Sequence, residues 1–148
     1  MLLNLKEAKS IKATSERKSW VSDPQINKYL ILRDKHDTDP PIDYLTNFEK
    51  YYEIYELGKH VGDIKIFYET EEDILQKRAQ IIMVIGNRNR GIGSNALNLL
   101  LQKVKDYYKS VYCIIDRSNI ASLKILKRNG FQIERFEKDK VRLSFPLT

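Results

Sequence analysis

The middle of the chain joins an almost continuous apolar run to an amphipathic segment through a short polar loop that contains glycines. Residues 80–85 are nearly all apolar, which predicts a central strand buried on both faces. Residues 92–108 place apolar side chains at helical spacing with polar side chains opposite them, which predicts a packed helix. A buried strand that leads directly into such a helix restricts the chain to folds in which helices cover a sheet.

The remaining patterns predict strands and helices on both sides of this unit. Strands are predicted at residues 2–8, 52–57, 61–69, 111–115, 131–136 and 141–145, and helices at residues 20–30, 42–51 and from a cap at Ser118 or Asn119 to Gly130. Residues 70–78 are mostly polar and predict a loop. Short turns within residues 52–69 and 131–145 predict two antiparallel hairpins. The result is a mixed α/β sheet with helices on both faces.

Length and composition are those of one soluble domain. A chain of 148 residues predicts a single domain spanning residues 1–148, which can bury roughly two-thirds of its unfolded surface. No apolar run approaches the roughly 20 residues that cross a bilayer. The first residues lack the basic start and apolar middle of a secretory signal, and the single cysteine, Cys113, cannot form an internal disulfide. We therefore expect a cytoplasmic protein with no membrane partner.

The charge balance favours anionic partners without indicating a nucleic-acid surface. Lys and Arg number 26 against 20 Asp and Glu, and this formal net charge of +6 raises the local concentration of anions. The basic residues are scattered without one dense tract, so a nucleic-acid partner is not favoured. Two His and one Cys supply no recognisable ligand spacing, so no metal site is expected.

The loop between the apolar run and the amphipathic segment has the composition of an anion site. It contains Gly91 and Gly93 beside Arg88 and Arg90, and it enters the predicted helix directly. Glycines let the backbone approach a phosphate closely, a helix N-terminus adds partial positive charge, and arginines supply charge-assisted hydrogen bonds. A pyrophosphate is the ligand that such a loop is best suited to bind. The alternative is a plain glycine turn whose arginines face water.

The same loop carries the first of two resemblances to the GNAT superfamily of N-acetyltransferases. Arg88-x-x-Gly91-x-Gly93 is similar to the R/Q-x-x-G-x-G/A signature of that superfamily. In the superfamily this signature binds the coenzyme A pyrophosphate at a strand-to-helix junction. The resemblance therefore implies a pyrophosphate ligand, as the chemistry of the loop also indicates.

A second resemblance lies downstream, in the right order. The segment from Asn119 to Gly130-Phe131 resembles the superfamily's Asn-to-Gly-Phe segment, which lines the pantetheine arm of the cofactor. Together the two motifs cover about residues 79–136. Residues 20–30 more particularly resemble the branch that contains ribosomal-protein, amino-sugar and polyamine acetyltransferases.

These resemblances imply a fold, a reaction and a set of binding residues. The implied fold is α/β, with a mixed, mainly antiparallel, twisted sheet of about seven strands flanked by about four helices. The implied reaction transfers an acetyl group from acetyl-CoA, the acyl-donor substrate, to a primary amine by direct attack on the thioester, with no metal. The acceptor is an amino sugar, a protein N-terminus or another small amine. The residues implied to bind the cofactor are Val84, Ile85, Arg88, Asn89, Arg90, Gly91, Ile92, Gly93, Ser94, Asn119 and Ser122.

The catalytic groups are less fully specified than the cofactor loop. The resemblance implies that a backbone N–H from the central strand, that of Val84 or Ile85, stabilises the oxyanion. Many relatives carry a proton-donating Tyr seven residues after the Asn, but Leu126 stands there in this chain. Ser122 is the predicted replacement, because a Ser at the corresponding place in the ribosomal-protein branch is proposed to face the cofactor sulfur. The alternative role for Ser122 is packing in the first helical turn.

No general base is assigned from the sequence. Asp63, Glu69 and Asp116 are candidates for a water-mediated relay, and each is equally explained as a charge at a strand end. His36 and His60 are isolated in the sequence, which is more typical of surface histidines than of catalytic ones.

Other functional interpretations stay open at this point. Gly91-x-Gly93-x-x-Ala96 also fits a dinucleotide-binding fingerprint with Asp116 after the next strand, although only 32 residues follow Asp116. A coenzyme A-binding module without catalysis and a basic module that contacts nucleic acid or the ribosome are further alternatives. A homodimer formed through sheet edges or C-terminal strands is plausible. From net charge alone, an anionic acceptor such as a nucleotide-linked amino sugar is hypothesised in preference to a polyamine.

Overall fold

A computed structural model describes the fold of residues 2–11, 14–24, 48–86 and 91–147. The strands are β1 (Leu3–Ala8), β2 (Lys50–Glu56), β3 (Lys59–Phe67), β4 (Arg78–Ile85), β5 (Ser110–Asp116), β6 (Gln132–Glu137) and β7 (Lys140–Pro146). The helices in these ranges are α1 (Ser15–Ser22), α2 (Glu71–Gln76), α3 (Ile92–Val104) and α4 (Ile120–Arg128). None of these helices is long and apolar enough to cross a membrane.

All seven strands lie in one sheet, in the order β1-β2-β3-β4-β5-β7-β6. Neighbouring strands are antiparallel except for β4 and β5, which are parallel. β2 with β3 and β6 with β7 form the two predicted hairpins. β4 is the central strand of the sheet, as its apolar sequence predicts. The expected mixed, mainly antiparallel seven-stranded sheet with flanking helices is therefore confirmed.

One face of the sheet carries the apolar core. Ile66 of β3 lies opposite Ile81 of β4, and both side chains are buried, as is Leu143 of β7. α3 contributes the stripe that its sequence predicts, with Ile92, Ala96, Leu97, Leu100 and Val104 all buried. α4 adds Leu126 to the same cluster. Removal of this apolar surface from water, worth about 25 cal/mol per Å², is the main favourable term in folding.

The opposite face of the sheet, which we call the α1 face, carries α1 and α2 and buries charged side chains. Arg17 of α1 reaches Asp63 of β3, with 2.8 Å between Nε and Oδ2. α2 places Asp73 against the sheet, where the Tyr112 hydroxyl donates a hydrogen bond to its Oδ2 at 2.7 Å. The α1 face therefore adds buried ion pairs and hydrogen bonds to apolar packing, since Phe67 and Val84 are also buried on it.

The predicted helix at residues 20–30 differs from the structure. α1 begins at Ser15 because the Thr14 hydroxyl accepts a hydrogen bond from the Arg17 backbone N–H and caps the helix there. The helix is mostly polar and shows little apolar periodicity, so the sequence pattern does not reveal it. It ends at Ser22, and residues 25–30 lie outside the described ranges.

The expectations for residues 42–51 and 70–78 are also wrong in part. The predicted helix at 42–51 overlaps a strand, since Lys50 begins β2, and residues 42–47 lie outside the described ranges. The predicted loop at 70–78 contains α2. The Thr70 hydroxyl caps this helix by accepting a hydrogen bond from the Asp73 backbone N–H at 3.1 Å. A short helix that is stabilised by its cap and by acidic first-turn residues has no apolar stripe, so the sequence pattern does not reveal it.

The helices after the central strand follow the sequence more closely. α3 begins at the predicted residue but ends at Val104, and Tyr107 beyond it is 61% exposed. Asn119 is the N-cap of α4, where its Oδ1 accepts a hydrogen bond from the Ser122 backbone N–H at 3.2 Å. Gly130 follows the helix with a φ of +92°, a left-handed conformation that glycine adopts without strain.

Candidate functional site

The parallel strands β4 and β5 separate after a short paired stretch. Their three register pairs end at Gln80–Tyr112. β4 continues to Ile85 and β5 to Asp116, so the carboxyl halves of the two strands leave an opening in the sheet, which we call the β4–β5 opening. Ile82, two residues past the last pair, is 36% exposed, whereas the sequence predicts a strand buried on both faces.

The direction of the backbone amides on β4 distinguishes between Val84 and Ile85, the two residues whose N–H groups are candidates to stabilise the oxyanion. Gly86 donates its N–H to the carbonyl oxygen of Val61 on β3 at 2.8 Å. Backbone amides alternate sides along a strand, so the N–H of Val84 also points toward β3 and that of Ile85 points into the β4–β5 opening. Ile85, rather than Val84, therefore presents a main-chain donor to a group in the opening.

The N-terminus of α3 follows the carboxyl end of β4. Gly91 is its N-cap, with a φ of +74° that favours glycine. No side chain among the described residues caps this end, so the N–H groups of the first turn, which begins at Ile92, can donate to a ligand. Gly93 packs against Ile125 of α4, where an added Cβ would lie 3.4 Å from Cδ1. The predicted Arg88, Asn89 and Arg90 lie outside the described residues.

The N-terminus of α4 follows the carboxyl end of β5. Asn119 is buried, and its side chain is engaged in capping the helix. Ser122 lies in the first turn, is partly exposed, and its hydroxyl makes no hydrogen bond within the described residues. Ser94 of α3 accepts a hydrogen bond from Asn129 Nδ2 at 2.9 Å, so its hydroxyl joins the two helices.

The electrostatics of this arrangement fit an anion. Each helix N-terminus carries roughly half a positive charge, and both termini stand at the β4–β5 opening. Neither α3 nor α4 has an acidic residue in its first turn. The described residues therefore fit a pyrophosphate, because the uncapped first-turn N–H groups of α3 and the positive ends of both helices face the β4–β5 opening. The structure brings together the predicted Val84, Ile85, Gly91, Ile92, Gly93, Ser94, Asn119 and Ser122 around this opening.

Two of the candidate bases are unsuited to that role. The Ser118 hydroxyl and backbone N–H donate to Asp116 Oδ1 at 2.6 and 2.9 Å, and Lys140 lies 3.3 Å from Oδ2. These hydrogen bonds, above all those from Ser118, lower the pKa of Asp116 to about 2. It is therefore a weak proton acceptor at neutral pH. Glu69 follows the end of β3, which pairs with the beginning of β4, so it lies far from the opening.

A buried polar cluster on the α1 face is the feature that the sequence does not reveal. Asp63 is 4% exposed and lies directly opposite Glu53 of β2, which is 5% exposed. Burial raises the pKa of Asp63, and its ion pair with Arg17 opposes that shift. His60 is not isolated, because the Trp20 ring meets it edge-on with 5.0 Å between centroids. Alternation along the β2–β3 hairpin could have paired the two carboxylates, but nothing in the sequence indicates the contact with α1.

A comparison with protein families decides the identity of this fold. The sequence pattern of the acetyltransferase (GNAT) domain matches residues 3–132. The chain belongs to the GNAT acetyltransferase family. This confirms the expectation of a GNAT-type acyltransferase. No curated protein matches the sequence significantly.

Solved structures share the GNAT fold with this chain at low sequence identity. The Campylobacter jejuni N-acetyltransferase PseH in complex with acetyl coenzyme A has 16% identity and a TM-score of 0.66, with 99% of this chain and 100% of that chain covered. A GNAT-family acetyltransferase from Bacillus anthracis has 15% identity and a TM-score of 0.71, with 97% and 95% covered. RimL, a ribosomal L7/L12 alpha-N-protein acetyltransferase in complex with coenzyme A, has 18% identity and a TM-score of 0.61, with 68% and 63% covered.

The GNAT topology also contradicts the dinucleotide-binding alternative. A doubly wound dinucleotide fold is built on a mostly parallel sheet. Here β4 and β5 form the one parallel pair among the described strands, and β3 is antiparallel to β4. Asp116 is engaged by Ser118 and Lys140 at the end of β5.

Proposed function

We propose that this GNAT protein is an acetyl-CoA-dependent N-acetyltransferase that acetylates the primary amine of a small molecule or peptide. The observation that carries the proposal is the β4–β5 opening. There the N-termini of α3 and α4 and the inward N–H of Ile85 come together. Family membership supports acetyl-CoA as the acyl donor.

The first turn of α3 is proposed to hold the phosphates of the donor. The N–H groups from Ile92 to Ser94 are suited to the pyrophosphate, and Arg88 and Arg90 add charge-assisted hydrogen bonds. Asn119 and Ser122 line the path of the pantetheine arm on the α4 side. Gly93 lies where this turn faces α4, since a Cβ placed there would be in ordinary contact with Ile125.

The chemistry requires a stabilised oxyanion and a proton for the departing sulfur. Acetyl-CoA supplies an acetyl group activated as a thioester. Ile85 donates its backbone N–H to the carbonyl oxygen on which negative charge develops when the amine attacks. Ser122 is proposed to donate the proton to sulfur as the C–S bond breaks and the C–N bond forms. The proton lost by the amine leaves through solvent, since Asp116 is a weak acceptor and Asp63 is paired with Arg17.

The expected setting of the reaction is cytoplasmic, with a soluble acceptor and no membrane or nucleic-acid partner. A homodimer stays a prediction. The edge strand β6 supports it, because Ile133 and Phe136 are 40% and 57% exposed there. A second copy pairing along this edge would cover both side chains.

Calorimetric titration with acetyl-CoA tests the donor site. The wild type is expected to bind at micromolar concentration, and Arg88→Ala/Arg90→Ala is expected to bind at least tenfold more weakly. Lys103→Ala/Lys105→Ala is the matched control, because it removes two positive charges from the opposite end of the same helix. NADH is the control ligand, and Ser122→Ala reports on turnover, with kcat lowered and binding retained.

Each result has a distinct meaning. Loss of affinity in both double variants would assign the effect to net charge rather than to the loop. Binding of acetyl-CoA without release of free thiol for any amine would indicate a sensor that holds coenzyme A. Absence of binding would overturn the acetyltransferase proposal in favour of a basic interaction module, whose binding to nucleic acid weakens steeply with salt.

A further inference from the structure

Gly86, the residue that follows β4, is a glycine for a reason outside its own backbone. The described glycines with a positive φ are Gly58, Gly91 and Gly130, so the conformation of Gly86 is one that other residues adopt. A Cβ at Gly86 would instead overlap Nε1, Cε2 and Cδ1 of Trp20, at distances that are all below 3.0 Å. Similar distances to three consecutive ring atoms place this Cβ position over the ring. The indole of Trp20 therefore packs face-on against Gly86.

Contacts from α1 and β3 hold the indole in this position. Arg17, one helical turn before Trp20, is 6% exposed and forms the ion pair that joins α1 to Asp63 of β3. Residues three apart share one face of a helix, so Trp20 is directed at the sheet as Arg17 is. The His60 ring meets the indole with 5.0 Å between centroids, and the Tyr55 ring lies 5.3 Å from that of His60. A side chain that is already fixed loses little conformational entropy when a ligand binds to it.

The indole N–H is a donor that the fold leaves unused. Trp20 is partly exposed, and within the described residues its Nε1 has no hydrogen-bond acceptor. The buried unpartnered nitrogens in the same part of the chain are Arg17 Nη1, His60 Nε2 and Arg142 Nη2, and Trp20 Nε1 is not among them. The indole N–H therefore reaches solvent. Because an indole only donates, a ligand there must bring an acceptor atom.

This donor lies close to the proposed reaction centre. Gly86 follows Ile85, whose N–H points into the β4–β5 opening, and covalent geometry limits the distance between Ile85 N and Trp20 Nε1 to about 9 Å. An oxyanion accepts from such an N–H at about 3 Å, and an attacking amine approaches the carbonyl carbon to about 3.5 Å. Only atoms near the reacting amine are therefore within reach of Nε1.

The positions of the helices leave the α1 face to the acceptor. α3 and α4, whose N-termini are proposed to hold the donor, pack on the apolar core face. A donor that enters from that face leaves its thioester carbonyl open to attack from the α1 face. Ile82 and Val84 lie on this face of β4 because side chains alternate along a strand, and both offer only apolar surface. At the end of the strand, Trp20 adds a hydrogen-bond donor.

We propose that Trp20 binds the acceptor by donating its indole N–H to an oxygen within about three bonds of the amine that is acetylated. The inference rests on the proposed function and names its substrate class. That class is an amine with a neighbouring hydroxyl or carbonyl oxygen, as in an amino sugar or the N-terminal residue of a peptide. A polymethylene polyamine has no such oxygen and is not a preferred acceptor.

A binding experiment tests the contact without turnover. Trp20 is the chain's one tryptophan, so ¹⁵N-labelled protein gives one indole N–H signal. The protein is saturated with coenzyme A and titrated with trans-2-aminocyclohexanol or with alaninamide, which carry the oxygen as a hydroxyl or as a carbonyl. The signal is expected to move saturably to lower field with these amines, and to move less with cyclohexylamine and 3-methylbutan-2-amine, which lack the oxygen. The two arms distinguish the two kinds of oxygen.

A kinetic experiment tests the link to acetylation. Trp20→Phe keeps an aromatic ring and removes the N–H. For the oxygen-bearing amines kcat/KM is expected to fall about fivefold, mainly through KM, as for the loss of one neutral hydrogen bond, and for the oxygen-free amines to stay within about twofold. Each amine is compared with itself across variants, so differences in intrinsic reactivity cancel. Tyr55→Phe is the matched control, because it removes a hydroxyl that donates to Glu53 and should leave the ratio between the amines unchanged.

A second variant keeps the shape of the ring. A tryptophan analogue with a benzothiophene ring, incorporated in place of Trp20, fills the same space and carries sulfur where the N–H stands. It is expected to show the same selective loss as Trp20→Phe, and melting temperatures verify that each variant is folded. An equal loss for all four amines in both variants would assign Trp20 a packing role and overturn the inference.

The outcomes separate this inference from the proposed function. Acetyl transfer with a preference for spermidine or for the oxygen-free amines would overturn the inference alone. The absence of a saturable shift of the indole signal with either oxygen-bearing amine would do the same. Failure to bind acetyl-CoA would overturn the proposed function, and titration of the indole signal without coenzyme A would still decide whether Trp20 contacts the amine.

Discussion

The two faces of the sheet contrast in what they bury. The face under α3 and α4 buries aliphatic side chains such as Ile64, Ile66 and Leu143. The α1 face buries Arg17, Glu53, Asp63, Asp73, Gln80 and Arg142. Apolar packing is tolerant of sequence and supports a fold that many distant proteins share. Buried charges need specific partners, so substitutions on the α1 face are expected to be less well tolerated than substitutions among the aliphatic side chains.

The largest expected effect comes from breaking the ion pair on the α1 face. Arg17→Met leaves Asp63 buried without its cation, and the loss in the free energy of unfolding at pH 7 is expected to be about 3–5 kcal/mol. Urea denaturation measures this loss, with Lys18→Met, an exposed position in the same helix, as the control.

The pH dependence of that loss identifies its cause. Because burial raises the folded-state pKa of Asp63 above 3.8, its contribution to stability is greatest below that value and is lost as the pH rises through the raised pKa. Removing Arg17 raises the pKa further, so the difference between variant and wild type should shrink from pH 7 to pH 4. A constant difference would mean that the variant loses packing rather than charge compensation.

The apolar face should respond to truncation without this pH dependence. Leu100→Ala removes a fully buried side chain of α3 and is expected to lower the free energy of unfolding by about 3 kcal/mol, from lost transfer energy and a residual cavity. The same denaturation experiment applies, with Leu75→Ala, at a position 83% exposed, as the control. If the Leu100→Ala loss varied with pH as the Arg17→Met loss does, the contrast between the faces would be wrong.

The sequence predicts the apolar face well and the α1 face poorly. The stripe of α3 and the cap at Asn119 are local patterns, so both could be read directly. α1 and α2 are short and polar, and their positions depend on hydroxyl caps at Thr14 and Thr70. The pair of Arg17 with Asp63 joins residues 46 positions apart, which no local pattern encodes.

The candidate site also combines features that the local sequence predicts with features that depend on tertiary structure. Gly91 marks the loop because its positive φ favours glycine, whereas the space around Gly93 would accept a Cβ at ordinary contact distance. The choice of Ile85 over Val84 depends on strand register, which is fixed only by tertiary pairing. The separation of β4 from β5 likewise depends on how distant strands meet.

The smallest expected effect on stability comes from substituting a glycine of positive φ, and it tests the role of Gly91 in binding acetyl-CoA. Gly91→Ala and Gly58→Ala each place a Cβ at a positive φ, +74° and +82°, and each is expected to cost about 1 kcal/mol of folding free energy. Only Gly91 caps the helix at the β4–β5 opening, so only Gly91→Ala is expected to weaken acetyl-CoA binding, by at least tenfold. Calorimetry measures the binding. Equal affinity of the two variants for acetyl-CoA would mean that the N-terminus of α3 takes no part in binding acetyl-CoA.

The contact between Trp20 and Gly86 gives the molecule an optical property. Trp20 is the chain's one tryptophan, and its indole lies so close to Gly86 that no Cβ would fit between them. Gly86 leads from β4 into the loop before α3, and His60 stands edge-on to the same ring. The entire tryptophan emission of the protein therefore originates beside the opening, where its wavelength and intensity report, without any label, on how wet or how occupied that region is.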